Sequence, residues 1–450
     1  MRTWVLELND SALLLGDGSA PPARSPGYAT VTRHEVVTGE PALARARIEP
    51  RHTLNQFWLR LGTEPLHEAR AHARHHADLA WSQLQQLANA AGRPQRVILA
   101  VPGSFSREQL AVLLGIAQRT SFRAVGLTDS ALAAATTTAV GAAALHLDLQ
   151  LHQCVLTRIT RADGMLAREQ VRTLPGCGLA QLQERWAQLL AARFIEQSRF
   201  DPLHAAASEQ QLYDRLPHWL AALRTADDVG TELLNGGTGY HAKLRARDVL
   251  EAALPVYSQI EDAVRRERAG ATVLASARFA ALPRIEALLP AFTRLDAEAV
   301  IRGCLRHAAL ICSDESALRF VTRLPAGEDA TAHAVAGTAA PAPLARAEAT
   351  VPSHLVVGAR ALRLDPGSLY LHLDAEGWTL SRQMPHAFAG TLTWDGAGWL
   401  LVPAPGSALR LDGGAVRAPL PLRAGQRLQP DAGTDALRLV AESAVGDDGA

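Results

Sequence analysis

Two hydrophobic patterns alternate along the first three quarters of this chain, and only one persists after that. VILAVPGSF at 97–105 is apolar on both faces and reads as a buried strand ending in a Val-Pro turn. A helical pattern follows over 106–120, then a short strand at 122–127 and an Ala-rich helix from Asp129. Short apolar runs at 4–8 and 12–15 flank Asn9-Asp10-Ser11, the pattern of a first hairpin. A long helical pattern over 66–90 is closed by Gly92 and Pro94. Residues 145–159 read as strand, turn and strand, and 165–174 as another strand. A Gly-rich turn and long helix follow over 174–197. Further helices are predicted at 208–225, 248–268 and 296–311, a polar strand pair at 230–246, a strand, turn and helix over 273–290, and a last strand at 319–322. Residues 326–352 are rich in Ala, Pro, Gly and Thr without apolar period, the composition of a flexible linker. From 353 to 443 short alternating runs separated by Gly, Asp and Pro predict an all-β module, and 444–450 a disordered tail.

Composition adds mainly exclusions. With 450 residues and 48% hydrophobic content there is room for a large two-lobed body at 1–325 and a smaller domain. Lys+Arg and Asp+Glu are both 45, and no basic stripe is concentrated anywhere, so neither nucleic acid nor an acidic membrane is an expected partner. MRTWVLELND breaks too early for a signal peptide, no apolar run is long enough to span a bilayer, and a cytoplasmic location is expected. Cys154, Cys177, Cys304 and Cys312 lack C-x-x-C spacing and read as buried reduced thiols. Lys243 is the only lysine, as codon bias in a GC-rich bacterial genome would give, and lysine-dependent chemistry elsewhere is excluded.

The order of elements carries a resemblance. Val101, Pro102, Phe105, Gln109 and Ala133 to Ala135 match in order the V-P-x-x-F strand, Gln-bearing helix, short strand and Ala-Ala-Ala helix of the 70-kDa heat-shock chaperones. Residues 37–62 are similar to the family stretch leading from V-G-x-x-A to R-L-I-G, and 273–290 to its adenosine segment. The chain therefore resembles the actin-like ATPase superfamily over residues 1–325, which implies a bilobal α/β fold.

That resemblance also locates what is missing. An actin-like ATPase holds phosphates between two glycine-bearing hairpin turns whose backbone N–H groups approach the anion. The first, D-L-G-T-T in the family, aligns with Glu7-Leu8-Asn9-Asp10-Ser11, which puts a carboxylate where phosphate would sit. The second, D-L-G-G-G-T, aligns with Asp148-Leu149-Gln150-Leu151-His152-Gln153, leaving only Asp148, either a magnesium-water ligand or a turn cap. The adenosine-side Gly-Gly aligns with Ala277-Arg278, the catalytic lysine falls near Trp58, and the inter-lobe N-E-P becomes Asp129-Ser130-Ala131. Phosphoryl transfer depends on positioning and charge stabilisation, so these departures predict a pseudo-ATPase with no bound cofactor. Residues Glu7, Asn9, Asp10, Asp148, Gln150 and Arg278 are then vestigial nucleotide-site positions, and Arg278 is expected to pair with Asp10 or Asp148.

Other constellations are weaker. His67, His72, His75 and His76 are predicted on one helix, with His72 and His76 spaced as a chelating pair but better read as a solvated face. NGGTGYH at 235–241 reads as a hairpin turn rather than a phosphate cradle, and GSFS at Ser104 lacks the second glycine of a nucleophile elbow. No metal site is expected. The 326–352 linker lacks the aliphatic run by which the chaperone linker docks, which argues against nucleotide-driven allostery. LDGGAVRAPLPLRAGQRLQ at 411–429 resembles the end of a forkhead-associated domain. Arg360, Ser381 and Arg382 fall where that family recognises phosphothreonine, while Ser407 to Arg410 replace its S-T-N-G. A generic β-sandwich and a reduced chaperone substrate-binding sandwich remain open. Two functions are compatible with this pattern: a non-catalytic scaffold binding protein partners through both modules, or a divergent chaperone-like ATPase with unfamiliar site residues.

Overall fold

The computed structural model describes residues 2–70, 73–313, 318–327, 354–357, 360–364, 368–374, 377–381, 389–394, 399–404, 409–412, 414–416, 418–423, 426–430 and 437–440. The chain is α/β, with mixed sheets and helices followed by a C-terminal region of short antiparallel strands. It divides into two compact units, one of residues 1–245, 262–283 and 291–333, the other of 246–261, 284–290 and 334–450.

The first unit is built on two six-stranded sheets with one plan. In the first sheet Thr3–Glu7, Leu13–Gly16 and Ala23–Ser25 form an antiparallel meander, and Arg96–Val101, Arg123–Asp129 and Phe320–Val321 add in parallel beside Thr3–Glu7. In the second, Ala143–Leu149, Gln153–Ala162 and Met165–Pro175 form the meander, and Thr272–Ala275 and Thr293–Arg294 add in parallel beside Ala143–Leu149. Arg323–Pro325 closes the far edge, so the chain passes from one sheet to the other at Thr322. The central strands are covered on both faces, and Val97 to Val101 have no exposed surface, which is why they read as an unbroken apolar run.

Local signals fix the helices that accompany the first sheet. Ser106 caps Arg107–Ala117 reciprocally, its hydroxyl accepting from the Gln109 N–H at 3.2 Å while the Gln109 side chain accepts from the Ser106 N–H at 3.0 Å. Asp129 caps Ser130–Ala135 by accepting from the Leu132 N–H at 2.9 Å. Ala299–Arg306 lies directly on that helix, because a Cβ at Gly303 would sit 1.9 Å from the Ala133 carbonyl oxygen. Gly303→Ala is therefore expected to cost about 3 kcal/mol of unfolding free energy through backbone displacement. Gly115→Ala, on an exposed helix position with nothing within 4 Å of the new methyl, should gain roughly 1 kcal/mol. Chemical denaturation of both variants checks the pair.

Three expectations are corrected. Residues 66–75 are not helical: Pro65–Arg70 and Ala73–His75 pair as strands and the helix starts at His76, where Asp78 accepts from the Arg74 and His75 N–H groups at 2.8 and 3.0 Å. His67, His75 and His76 therefore share no helix, and His72 lies outside the described residues. The 296–311 helix begins only at Ala299, since the Asp296 carboxylate folds the chain into a turn by accepting from the Glu298 N–H at 2.8 Å, and it is interrupted at His307. NGGTGYH is a hairpin turn as read, with Gly236 and Gly237 at φ +57° and +82° between Asp228–Asn235 and Thr238–Arg245.

The second unit contains the helical segment 246–261 and, between 354 and 440, two antiparallel sheets whose buried leucines, Val416 and Trp399 form one cluster. The predicted linker 326–352 and tail 444–450 lie outside the described residues apart from 326 and 327. No described helix is long and apolar enough to cross a membrane.

Candidate functional site

The two meanders place equivalent turns at the ends of their first strands, and the turns meet. From the first, Asn9 Nδ2 donates to Asp148 Oδ2 at 2.8 Å and to the Leu149 carbonyl at 3.1 Å, while Asp10 Oδ1 accepts from the Leu151 N–H at 2.6 Å. Asn9 also holds its own turn, accepting from the Ser11 N–H at 2.9 Å and the Ser11 hydroxyl at 2.7 Å. In the second turn Gln150 accepts from Gln153 Nε2 at 2.7 Å. His152 Nε2 lies 2.9 Å from the Asn55 carbonyl, which can only accept, so that nitrogen carries the ring proton. Gly178 makes the next contact possible: a Cβ there would lie 2.5 Å from three backbone atoms of residues 151–153. The helix Leu179–Ser198 consequently starts against the turn, and its Leu179 and Ala180 N–H groups donate to the Gln150 and Leu151 carbonyls at 2.9 and 2.8 Å. Donors that a helix N-terminus could offer an anion are thus engaged within the chain.

The sequence leads one to expect Arg278 to pair with Asp10 or Asp148, and it pairs with neither. Its guanidinium hydrogen-bonds Glu7 and donates to the Ala12 carbonyl at 2.9 Å. The reason is position: Arg278 leaves the short helix Ala277–Ala280 beside the last residue of Thr3–Glu7, whereas Asp10 is turned toward Leu151. Burial pushes the Glu7 carboxyl up, opposed by Arg278, and pushes Asp10 up to about 6, opposed by the Leu151 hydrogen bond. Burial also pulls on Arg278, but the charges of Glu7 and Asp148 hold it above its ordinary value.

Two further braces were not predicted. Arg168 of Met165–Pro175 meets the fully buried Asp129 at 3.1 Å, joining the second sheet to the end of a first-sheet strand. Burial raises the Asp129 carboxyl against this pairing. Arg47 lies 3.6 Å above the Tyr213 ring and 3.2 Å from Glu209, while its backbone N–H donates to Gln210 at 2.8 Å. Nothing in the sequence marks either arginine among so many, and only Asp129 carries a signal, through the resemblance of 129–131 to an N-E-P segment. Trp58, which the sequence resemblance aligns near a lysine, is buried and donates to Gln83 at 2.7 Å. The buried His146 has no hydrogen-bond partner on either ring nitrogen, and burial lowers its pKa. With Glu7 and Asp148 it lines a cavity of about 20 Å³, the room one water molecule needs.

The braces leave a larger cavity of about 740 Å³ on one side of the cleft, reaching from Arg278 to the Arg47–Tyr213 contact. A second, of about 160 Å³, lies by Asp10, Trp58 and Gln150. No group of three or more His, Cys, Asp or Glu among the described residues could hold a metal ion. In the C-terminal region Arg360 opens the strand Arg360–Arg363 and Ser381 ends Gly377–Ser381, on different sheets, and Arg382 lies outside the described residues. No protein-family model matches the chain, and no curated protein matches it.

Proposed function

We propose that the chain is a non-catalytic scaffold built on a degenerate actin-like, heat-shock-chaperone-like module, and that this module and the C-terminal β module, a forkhead-associated-like sandwich, both present protein-binding surfaces. The shared plan of the two six-stranded sheets supports the bilobal reading, with each lobe contributing one turn to the cleft. The observation that carries the pseudo-ATPase reading is the Asp10 carboxylate on the Leu151 N–H. A group that would bind phosphate oxygen in an anion cradle is held by the chain's own anion. Arg278 is likewise satisfied by Glu7, and the Asn9–Asp148 bond engages the carboxylate that resembles a magnesium-water ligand. Five inter-lobe braces, through Asn9, Asp10, Arg278, Arg168 and Arg47, favour a fixed relative position of the lobes, as a scaffold needs and a nucleotide-cycling hinge does not.

Calorimetric titration of the full chain with Mg-ATP tests this. No saturable heat is expected at ligand concentrations up to the millimolar range. Saturable micromolar binding that Asp148→Ala abolishes would establish the divergent ATPase instead.

A further inference from the structure

We propose that the 740 Å³ cavity is a binding site for one small, uncharged, predominantly apolar molecule. Its volume falls within the range of small-molecule sites, about 300 to 1,000 Å³. One wall is a single face of the helix Ala206–Ala222, on which Tyr213, Pro217, Leu220 and Ala221 recur at helical spacing. The buried Trp186 of a neighbouring helix and Leu282 extend this apolar lining.

The charges around the cavity select against ions of either sign. Three lining guanidiniums are already neutralised: Arg24 by Glu40 at 2.6 Å, Arg47 by Glu209 at 3.2 Å and Glu184 at 3.7 Å, and Arg278 by Glu7. Arg224 has no ion-pair partner among the described residues, but Asp214 and Glu298, which line the same space, have none either. Among the lining charges that have no ion-pair partner, the two carboxylates would repel a polyanion and the Arg224 guanidinium would repel a polycation, so neither sign meets a uniformly complementary wall. An uncharged ligand avoids the desolvation of its own charge. Gln183, next to Trp186 in the lining, has no hydrogen-bond partner among the described residues and offers an amide to one carbonyl or hydroxyl on the ligand. The site needs no nucleotide chemistry and extends the scaffold reading to a ligand-bearing one.

Fluorescence titration of the full chain with Nile red, an uncharged apolar dye with one carbonyl, tests the assignment. A single saturable site with blue-shifted emission is expected. Ala221→Trp and Ala297→Trp, which add bulk to the cavity lining at exposed positions, should each weaken it by about tenfold or more. Leu310→Ser, which removes an exposed leucine outside the cavity, should leave it unchanged. The anionic dye 1-anilinonaphthalene-8-sulfonate should bind less tightly than Nile red. Non-saturable Nile red binding, equal affinity in both tryptophan variants with native circular dichroism, or tighter binding of the sulfonate dye would each overturn the assignment.

Discussion

Arg278→Ala is expected to lower unfolding free energy by about 3 kcal/mol at pH 7, the low end for breaking a buried ion pair, because the Arg278 side chain keeps a fifth of its surface exposed. The loss comes from what remains. Glu7 is buried with its Oε2 already lacking a hydrogen bond, and removing the guanidinium strips its main counter-charge and the donor to the Ala12 carbonyl. Protonation of Glu7 limits the penalty, so the deficit of the variant should shrink as the pH is lowered toward 5. The double variant Glu7→Gln/Arg278→Met, which leaves no unpaired charge, should recover most of the stability. Urea unfolding at pH 5 and pH 7 measures all three. A pH-independent loss, or a double variant no better than the single one, would show that Arg278 acts by packing.

Asp10→Asn should stabilise the protein at neutral pH. Asp10 has its carboxyl raised from 3.8 to about 6, so the folded state prefers it protonated. The stability this gives is fully present below about pH 4 and is lost as pH rises through about 6. That difference corresponds to about 3 kcal/mol for the charged group relative to the neutral one. Asparagine stays neutral and its oxygen can still accept from the Leu151 N–H. The variant should therefore match the parent near pH 4 and exceed it by up to about 3 kcal/mol at pH 7.5. Comparing the two proteins at each pH cancels the opposite contribution of His146, whose lowered pKa makes acidification unfavourable below its ordinary 6.5. A constant difference across this range would mean that Asp10 is solvated.

The strands were legible because burial on both faces demands unbroken apolar sequence, as in residues 97–101 and much of 143–149. The 66–75 stretch was misread because Ala, Arg and Glu suit a helix, and pairing with a neighbouring strand overrode that preference. Its true boundary had a signal, Asp78 three residues after His75, that hydrophobic period does not register. The resemblance singled out Asn9, Gln150 and Arg278, which align with the family's glycines, and Asp10, which would bring a carboxylate beside them. Their partners were not legible. Whether Arg278 meets Glu7 or Asp10 depends on small displacements between segments far apart in sequence, and Arg168 and Arg47 are distinguished from other arginines only by where their strands and loops finally lie.

The sequence distance spanned by the inter-turn brace bears on how long the closed form lasts. Asn9 and Asp148 are 139 positions apart, Asp10 and Leu151 141, and Glu7 and Arg278 271. Each meander is local and can assemble by short loop closures, whereas these bonds must wait until both halves have gathered. Interactions that form after the folding transition state have little influence on the rate of folding and act chiefly by slowing its reversal. The brace is therefore expected to act as a kinetic seal, so that removing it should speed unfolding more than it slows folding.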